Sequence, residues 1–128
     1  MKMKPNDKDV RAAILRAHLG SFRHAWNGIA HMLRTQRNAW IHACATLAVC
    51  AAGIGLHISA ADWRWIVLGI TLVWAAEALN TAIEFFCDVL SPEYHPAVKN
   101  AKDIGAGAVL ICALGAAILG SLTLAPYI

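Results

Sequence analysis

The chain has 128 residues, 59% of them apolar and 15% charged, with a formal net charge of +3. That length has room for one domain, and the balance is too apolar for an ordinary soluble one. A positive charge raises nucleic acid as a partner, but eight of the eleven Lys and Arg residues precede residue 39. Such an asymmetry is a membrane-topology signal, so no nucleic-acid partner is expected.

In chain order, residues 1–9 are polar and are expected to form a flexible tail. From Val10 to about Leu33, apolar residues recur at 10, 14, 17, 22, 25, 29 and 32 with basic residues between them. The spacing predicts a helix over 10–36 with one apolar and one cationic face. Such a helix can lie in the headgroup layer, its arginines near lipid phosphates and Trp26 at the boundary. Thr35-Gln36-Arg37-Asn38 is the elbow that follows.

Three apolar runs come next, at 39–58, 65–90 and 104–126. Each reaches the roughly 20 residues that cross a hydrocarbon core of about 30 Å. The expected fold is therefore all-α, with an N-terminal surface helix and three transmembrane helices. The first run begins only after a long basic segment, so no cleavable signal peptide is expected. Positive residues mark the cytoplasmic side. That puts the N-terminus and the Ser91–Asp103 connection inside, and the short Ser59–Arg64 connection outside. Trp40, Trp63 and Trp65 read as interfacial anchors. His42 and His57 receive no role, because a lone histidine near a span end is more often a hydrogen-bonded or interfacial residue than a ligand. Cys44, Cys50, Cys87 and Cys112 lie inside the apolar runs with no C-x-x-C pair and read as small apolar filler. In the third run, small residues at Ala101, Gly105, Ala108, Cys112, Gly115 or Ala116, and Gly120 form a stripe that permits close helix approach.

The second run departs from this pattern. It carries Glu77, Asn80, Glu84 and Asp88, whose spacings of three, four and seven return to one helix face. Glu77 and Glu84 are about 10 Å apart along the axis at 1.5 Å per residue. Carboxylates are costly in hydrocarbon, so the stripe must face a cavity, a cation or a partner. Lys102-Asp103 opens the next run, which brings acids, an amide and a lysine to one end of two consecutive spans. This is the pattern of a reaction site.

The stretch resembles the bacterial integral-membrane lipid kinases, the diacylglycerol kinase and undecaprenol kinase family. The matching residues are Glu77-x-x-Asn80-Thr81-Ala82-Ile83-Glu84-x-x-x-Asp88, Glu93-Tyr94-His95, and Ala101-Lys102-Asp103-Ile104 with Ala108-Val109. Weaker similarity runs back to Trp26-Asn27-Gly28 and the Thr35–Asn38 elbow. The resemblance implies a homotrimer in the bacterial cytoplasmic membrane, with sites shared between protomers, using ATP and Mg²⁺ to phosphorylate a lipid alcohol. It makes Glu77 the general base and assigns Asn80 to orienting base or acceptor, with Trp26 also at the lipid substrate. It assigns Glu84 to the metal, and Lys102, Asp88, Asp103, Glu84 and Arg16 to the nucleotide. The position of Gln36 is ordinarily a metal-binding glutamate in that family. An amide oxygen can still coordinate Mg²⁺ but brings no charge. The Ser91–Pro96 loop looks closer to the undecaprenol branch. Two other readings compete: an assembly subunit weakened by Gln36, and a small ion- or proton-coupled transporter. A transporter needs polar residues continuing outward, and Trp65–Ala76 offers only Thr71.

Overall fold

A computed structural model describes residues 6–128. Part of the expected tail, residues 1–5, lies outside the described residues, and the helix that follows begins at Asp7, earlier than the periodicity indicates. The elements are α1 (Asp7–Thr35), α2 (Arg37–Gly55), α3 (Ala60–Leu90), α4 (Pro96–Leu124) and a terminal 3-10 turn (Ala125–Tyr127). Among the described residues there is no strand. Two units are distinguished, residues 1–35 and residues 36–128. In the first, α1 exposes Phe22 and Trp26 among its apolar side chains.

The second unit holds three helices long and apolar enough to cross a membrane. Their ends differ from the apolar runs because capping, not hydropathy, sets a helix boundary. Gln36 is extended at the N-cap of α2, so that helix starts at Arg37 and ends at Gly55 rather than residue 58. Ser59 caps α3, its Oγ accepting the Asp62 N–H at 3.2 Å, so α3 begins at Ala60 rather than Trp65. His95 caps α4 through Nδ1, which accepts the Ala97 N–H at 3.2 Å, and Pro96 takes the first helical position. Proline suits that position because its missing N–H would find no partner there anyway. The polar segment expected as a loop up to Asp103 is thus mostly the first two turns of α4.

The turn between α2 and α3 places His57 at φ 53, a left-handed conformation. Gly53 lies against Trp63, where a Cβ would meet the indole at 3.0 Å. Trp63 therefore packs on α2. Beside it, the Tyr127 hydroxyl donates to Asp62 Oδ2 at 2.5 Å and accepts the Ser59 N–H at 3.1 Å. The C-terminal turn is thereby tied to the start of α3.

Helices α3 and α4 make the larger interface and α2 joins α3 more sparsely. Where α3 crosses α4, a Cβ on Gly69 would come within 3.2 Å of Ala116 Cβ, so glycine sets how closely the backbones approach. The Trp74 indole N–H reaches Thr46 Oγ1 at 3.1 Å, joining α3 to α2 without leaving either polar group unpaired. The outward faces carry Leu47, Ile111, Leu122 and other exposed apolar side chains. That surface suits lipid or neighbouring helices. At 31 residues, α3 is about 46 Å long, well beyond a hydrocarbon core of about 30 Å. Part of the helix must therefore extend beyond the core, and the stripe occupies its C-terminal half.

Candidate active site

The polar stripe of α3 is assembled as its spacing predicts, and each member has a distinct environment. Glu77 is 1% exposed and Asn80 is 5% exposed, so both are shielded even within one chain. Glu84 is half-buried and Asp88 is exposed. Polarity and access therefore rise together along the helix.

Glu84 is the junction. Asn80 Nδ2 donates to its Oε1 at 3.0 Å from one turn earlier. Gln36 Nε2 donates to its Oε2 at 3.0 Å from the N-cap of α2. Each carboxylate oxygen thus accepts one hydrogen bond and keeps a further lone pair. On the α4 side, Gly105 faces Asn80 so closely that a Cβ there would stand 2.5 Å from Asn80 Oδ1. Glycine at 105 leaves the room in which the Asn80 amide sits, a function that its small-residue spacing does not distinguish from ordinary packing.

Toward the polar end, Lys102 of α4 is ion-paired with Asp88 of α3. The pair is partly solvent-exposed, where such a contact is worth about 1 kcal/mol or less. Lys102 is held near the stripe by a contact that is readily exchanged. Asp103 is directed elsewhere: it pairs with Lys99 at 2.5 Å, one turn back on α4. Trp26 and Arg16 lie on α1, in the other unit.

Sequence reasoning assigned nothing to His42, and the structure brings it to the deepest acid. Its Nε2 faces Glu77 Oε2 at 3.6 Å, just beyond hydrogen-bond distance. Among the described residues neither atom has a hydrogen-bond partner, and the same holds for Asn80 Oδ1. His42 lies six residues beyond Gln36 on the same helix, so only knowledge of which α2 face meets α3 reveals the pairing. Thr81 was also unassigned; its hydroxyl donates to the Glu77 carbonyl at 2.8 Å. Thr71 donates to Val67 O of its own helix at 2.8 Å, so it opens no polar path outward from Glu77.

The prokaryotic diacylglycerol kinase family model matches residues 23–124. The chain belongs to that family. It is similar to an undecaprenol kinase of Bacillus subtilis, 42% identical over 106 residues, covering 83% of this chain and 86% of that one. It is also similar to a diacylglycerol kinase of Synechocystis, 42% identical over 109 residues, covering 84% of this chain and 62% of the other. A diacylglycerol kinase of Escherichia coli is 31% identical over 102 residues, covering 74% of this chain and 78% of that one. The chain is a membrane lipid kinase, a phosphotransferase with an alcohol acceptor.

A kinase of this kind calls for a divalent cation with its nucleotide. Among the described residues, no three His, Cys, Asp or Glu side chains gather into a metal cluster. The donors at hand are the spare lone pairs of Glu84 and the amide oxygen of Gln36. That set fits Mg²⁺ carried in by phosphate oxygens and water, which needs only one or two protein ligands.

The Gly105 contact yields a test. Gly105→Ala keeps a good helix former in α4, yet its methyl must displace the Asn80 amide. We expect the variant to fold and to lose roughly tenfold or more in lipid-kinase rate, about 1.4 kcal/mol of transition-state stabilisation. Circular dichroism alongside a radiolabelled phosphoryl-transfer assay checks it. Full activity would show that the Asn80 orientation is immaterial.

Proposed function

We propose that this protein uses ATP and Mg²⁺ to phosphorylate the hydroxyl of a membrane lipid alcohol at the cytoplasmic face. The observation that carries the reading is the graded stripe: a buried carboxylate with an unpaired oxygen at Glu77, then a half-buried carboxylate at Glu84, then an exchangeable lysine at Lys102. The acceptor hydroxyl arrives within the bilayer and the nucleotide from water, and the stripe spans both. Glu77 takes the acceptor proton as general base. Asn80 holds Glu84 and fixes the spacing between base and nucleotide. Glu84, with the oxygen of Gln36, holds the cation, which offsets charge on the phosphates when bound. Lys102 leaves Asp88 for the phosphates, a trade between two anionic partners. Asp103 and Arg16 are kept as further nucleotide contacts, and Trp26 as a contact to the lipid.

The cytoplasmic orientation rests on the eight basic residues ahead of the first span. The family resemblance implies a homotrimer with sites shared between protomers, and two features support an oligomer. Three spans have little surface with which to enclose a nucleotide, and the outward faces are apolar. The transporter reading loses ground, since Thr71 is satisfied within its own helix. The weakened-subunit reading keeps one supporting observation: a neutral amide at Gln36 donates to Glu84.

The direct experiment offers diacylglycerol and undecaprenol side by side to purified protein with labelled ATP. Undecaprenol is expected to be the better acceptor, in line with the Ser91–Pro96 loop. Faster transfer to diacylglycerol would reverse that preference, and transfer to neither would overturn the kinase reading. For assembly, chains carrying Glu77→Gln and Glu84→Gln should each be inactive, and mixed oligomers should recover partial activity. No recovery after verified mixing would mean that each chain holds a complete site.

Gln36 provides a separate readout. Restoring a carboxylate with Gln36→Glu should lower the Mg²⁺ concentration for half-maximal rate. A gain of about 1.4 kcal/mol in cation binding shifts that concentration roughly tenfold. Rate measured against free Mg²⁺ at saturating ATP checks this. Identical titrations would remove Gln36 from the metal, and activity confined to the Glu variant would favour the weakened-subunit reading.

A further inference from the structure

The Glu77–His42 pair has a geometry that packing alone leaves unexplained. Two buried polar atoms, Glu77 Oε2 and His42 Nε2, face each other at 3.6 Å and neither has a hydrogen-bond partner. Buried polar atoms are rarely left in this condition, since each forfeits its bond to water. The gap is too long for a direct hydrogen bond. It is, however, shorter than twice the ordinary hydrogen-bond length of about 2.8 Å, so one oxygen placed beside it can reach both atoms.

Such an oxygen must accept from one side and donate to the other. With a hydrogen on Nε2, His42 donates, while the Glu77 carboxylate only accepts. A hydroxyl satisfies both demands with one atom. His42 also lines an apolar cavity of about 640 Å³ among α2, α3 and α4, together with Thr46, Ile70, Val73 and Ala113. Glu77 is not part of that lining, so a hydroxyl carried on a hydrocarbon chain meets the pair by way of His42, with the two buried side chains parting to admit it.

We propose that His42 is a second acceptor-binding residue, its Nε2–H donating to the oxygen of the lipid hydroxyl while Glu77 Oε2 accepts the hydroxyl proton. This rests on the lipid-kinase reading above and adds a residue to it. The hydroxyl oxygen has one proton and two lone pairs. Glu77 takes the proton, His42 occupies one lone pair, and the other is left to attack the γ-phosphorus. In the transfer, the new bond joins the acceptor oxygen to phosphorus, and the bond from phosphorus to the β–γ bridging oxygen breaks. The nucleoside diphosphate leaves with that electron pair, and Glu77 carries the acceptor proton until product departs. Fixing the attacking lone pair is an orientation effect, so its loss falls on the transfer step.

The experiment compares wild type with His42→Met, which keeps an apolar side chain without a donor, and His42→Gln, which restores an N–H donor. Steady-state rates are measured against acceptor and against ATP in mixed micelles, with melting temperature as a check on folding. His42→Met should lower kcat by roughly ten- to a hundredfold, the scale of one hydrogen bond to a reacting group. KM for ATP should stay within about twofold, because His42 contacts no nucleotide group in this scheme. His42→Gln should regain most of the lost rate. A folded His42→Met variant as active as wild type would overturn the proposal, as would a folded His42→Gln variant that is as slow as His42→Met. If His42→Met fails to fold, His42→Gln decides alone: rate retained supports the donor, and rate lost in a folded protein removes it. An inactive wild type would instead sink the lipid-kinase reading itself, and this inference with it.

Discussion

The polar contacts of the stripe converge on the two oxygens of Glu84. One is held by Asn80 on its own helix and the other by Gln36, 48 residues earlier in the chain. Asn80 in turn presses on Gly105 of α4. A carboxylate so close to the hydrocarbon needs such partners, since an unpaired one costs several kcal/mol or more. Around that one group the start of α2, the C-terminal part of α3 and the first third of α4 come to a common point. The requirement of the charge thus becomes a constraint on the fold, and the helices meet where the chemistry is placed.

The same constraint grades the site by depth. Glu77 is the stripe member furthest along α3 from the exposed end, with His42 facing its Oε2. Asp88 and Lys102 are paired at the exposed end, where salt and water weaken the attraction. A helix too long for the bilayer supplies both environments on one face. Under the proposed reaction, no loop or separate nucleotide-binding domain is needed to bring a base at Glu77 and a cation at Glu84 to one helix face.

How much of this the sequence discloses depends on whether a feature is local. The stripe is local: its spacing on one helix, against an apolar background, is legible from the order of the residues alone. The three spans are readable for the same reason. Their ends are less so, because Ser59 and His95 act as caps through single hydrogen bonds that hydropathy does not register. Asp103 shows the opposite difficulty, since adjacency to Lys102 in sequence implies nothing about direction and its carboxylate turns to Lys99. His42 was the least legible residue. A single histidine in an apolar run has no pattern of its own, and only the packing of α2 on α3 gives it a partner.

Gln36 shows how a neutral residue can alter a charged site without disturbing its shape. A glutamate there would set two carboxylates together and leave both in want of a cation. The amide instead donates to Glu84 at 3.0 Å. The geometry that joins α2 to α3 is preserved, while the electrostatic demand for metal is reduced. Cation binding must then turn the amide so that its oxygen, not its nitrogen, faces the ion, which sacrifices the bond to Glu84. The expected consequence, if the proposed cation site is right, is a weaker pull on Mg²⁺. The proposed reaction tolerates that only because the nucleotide brings most of the cation's ligands with it.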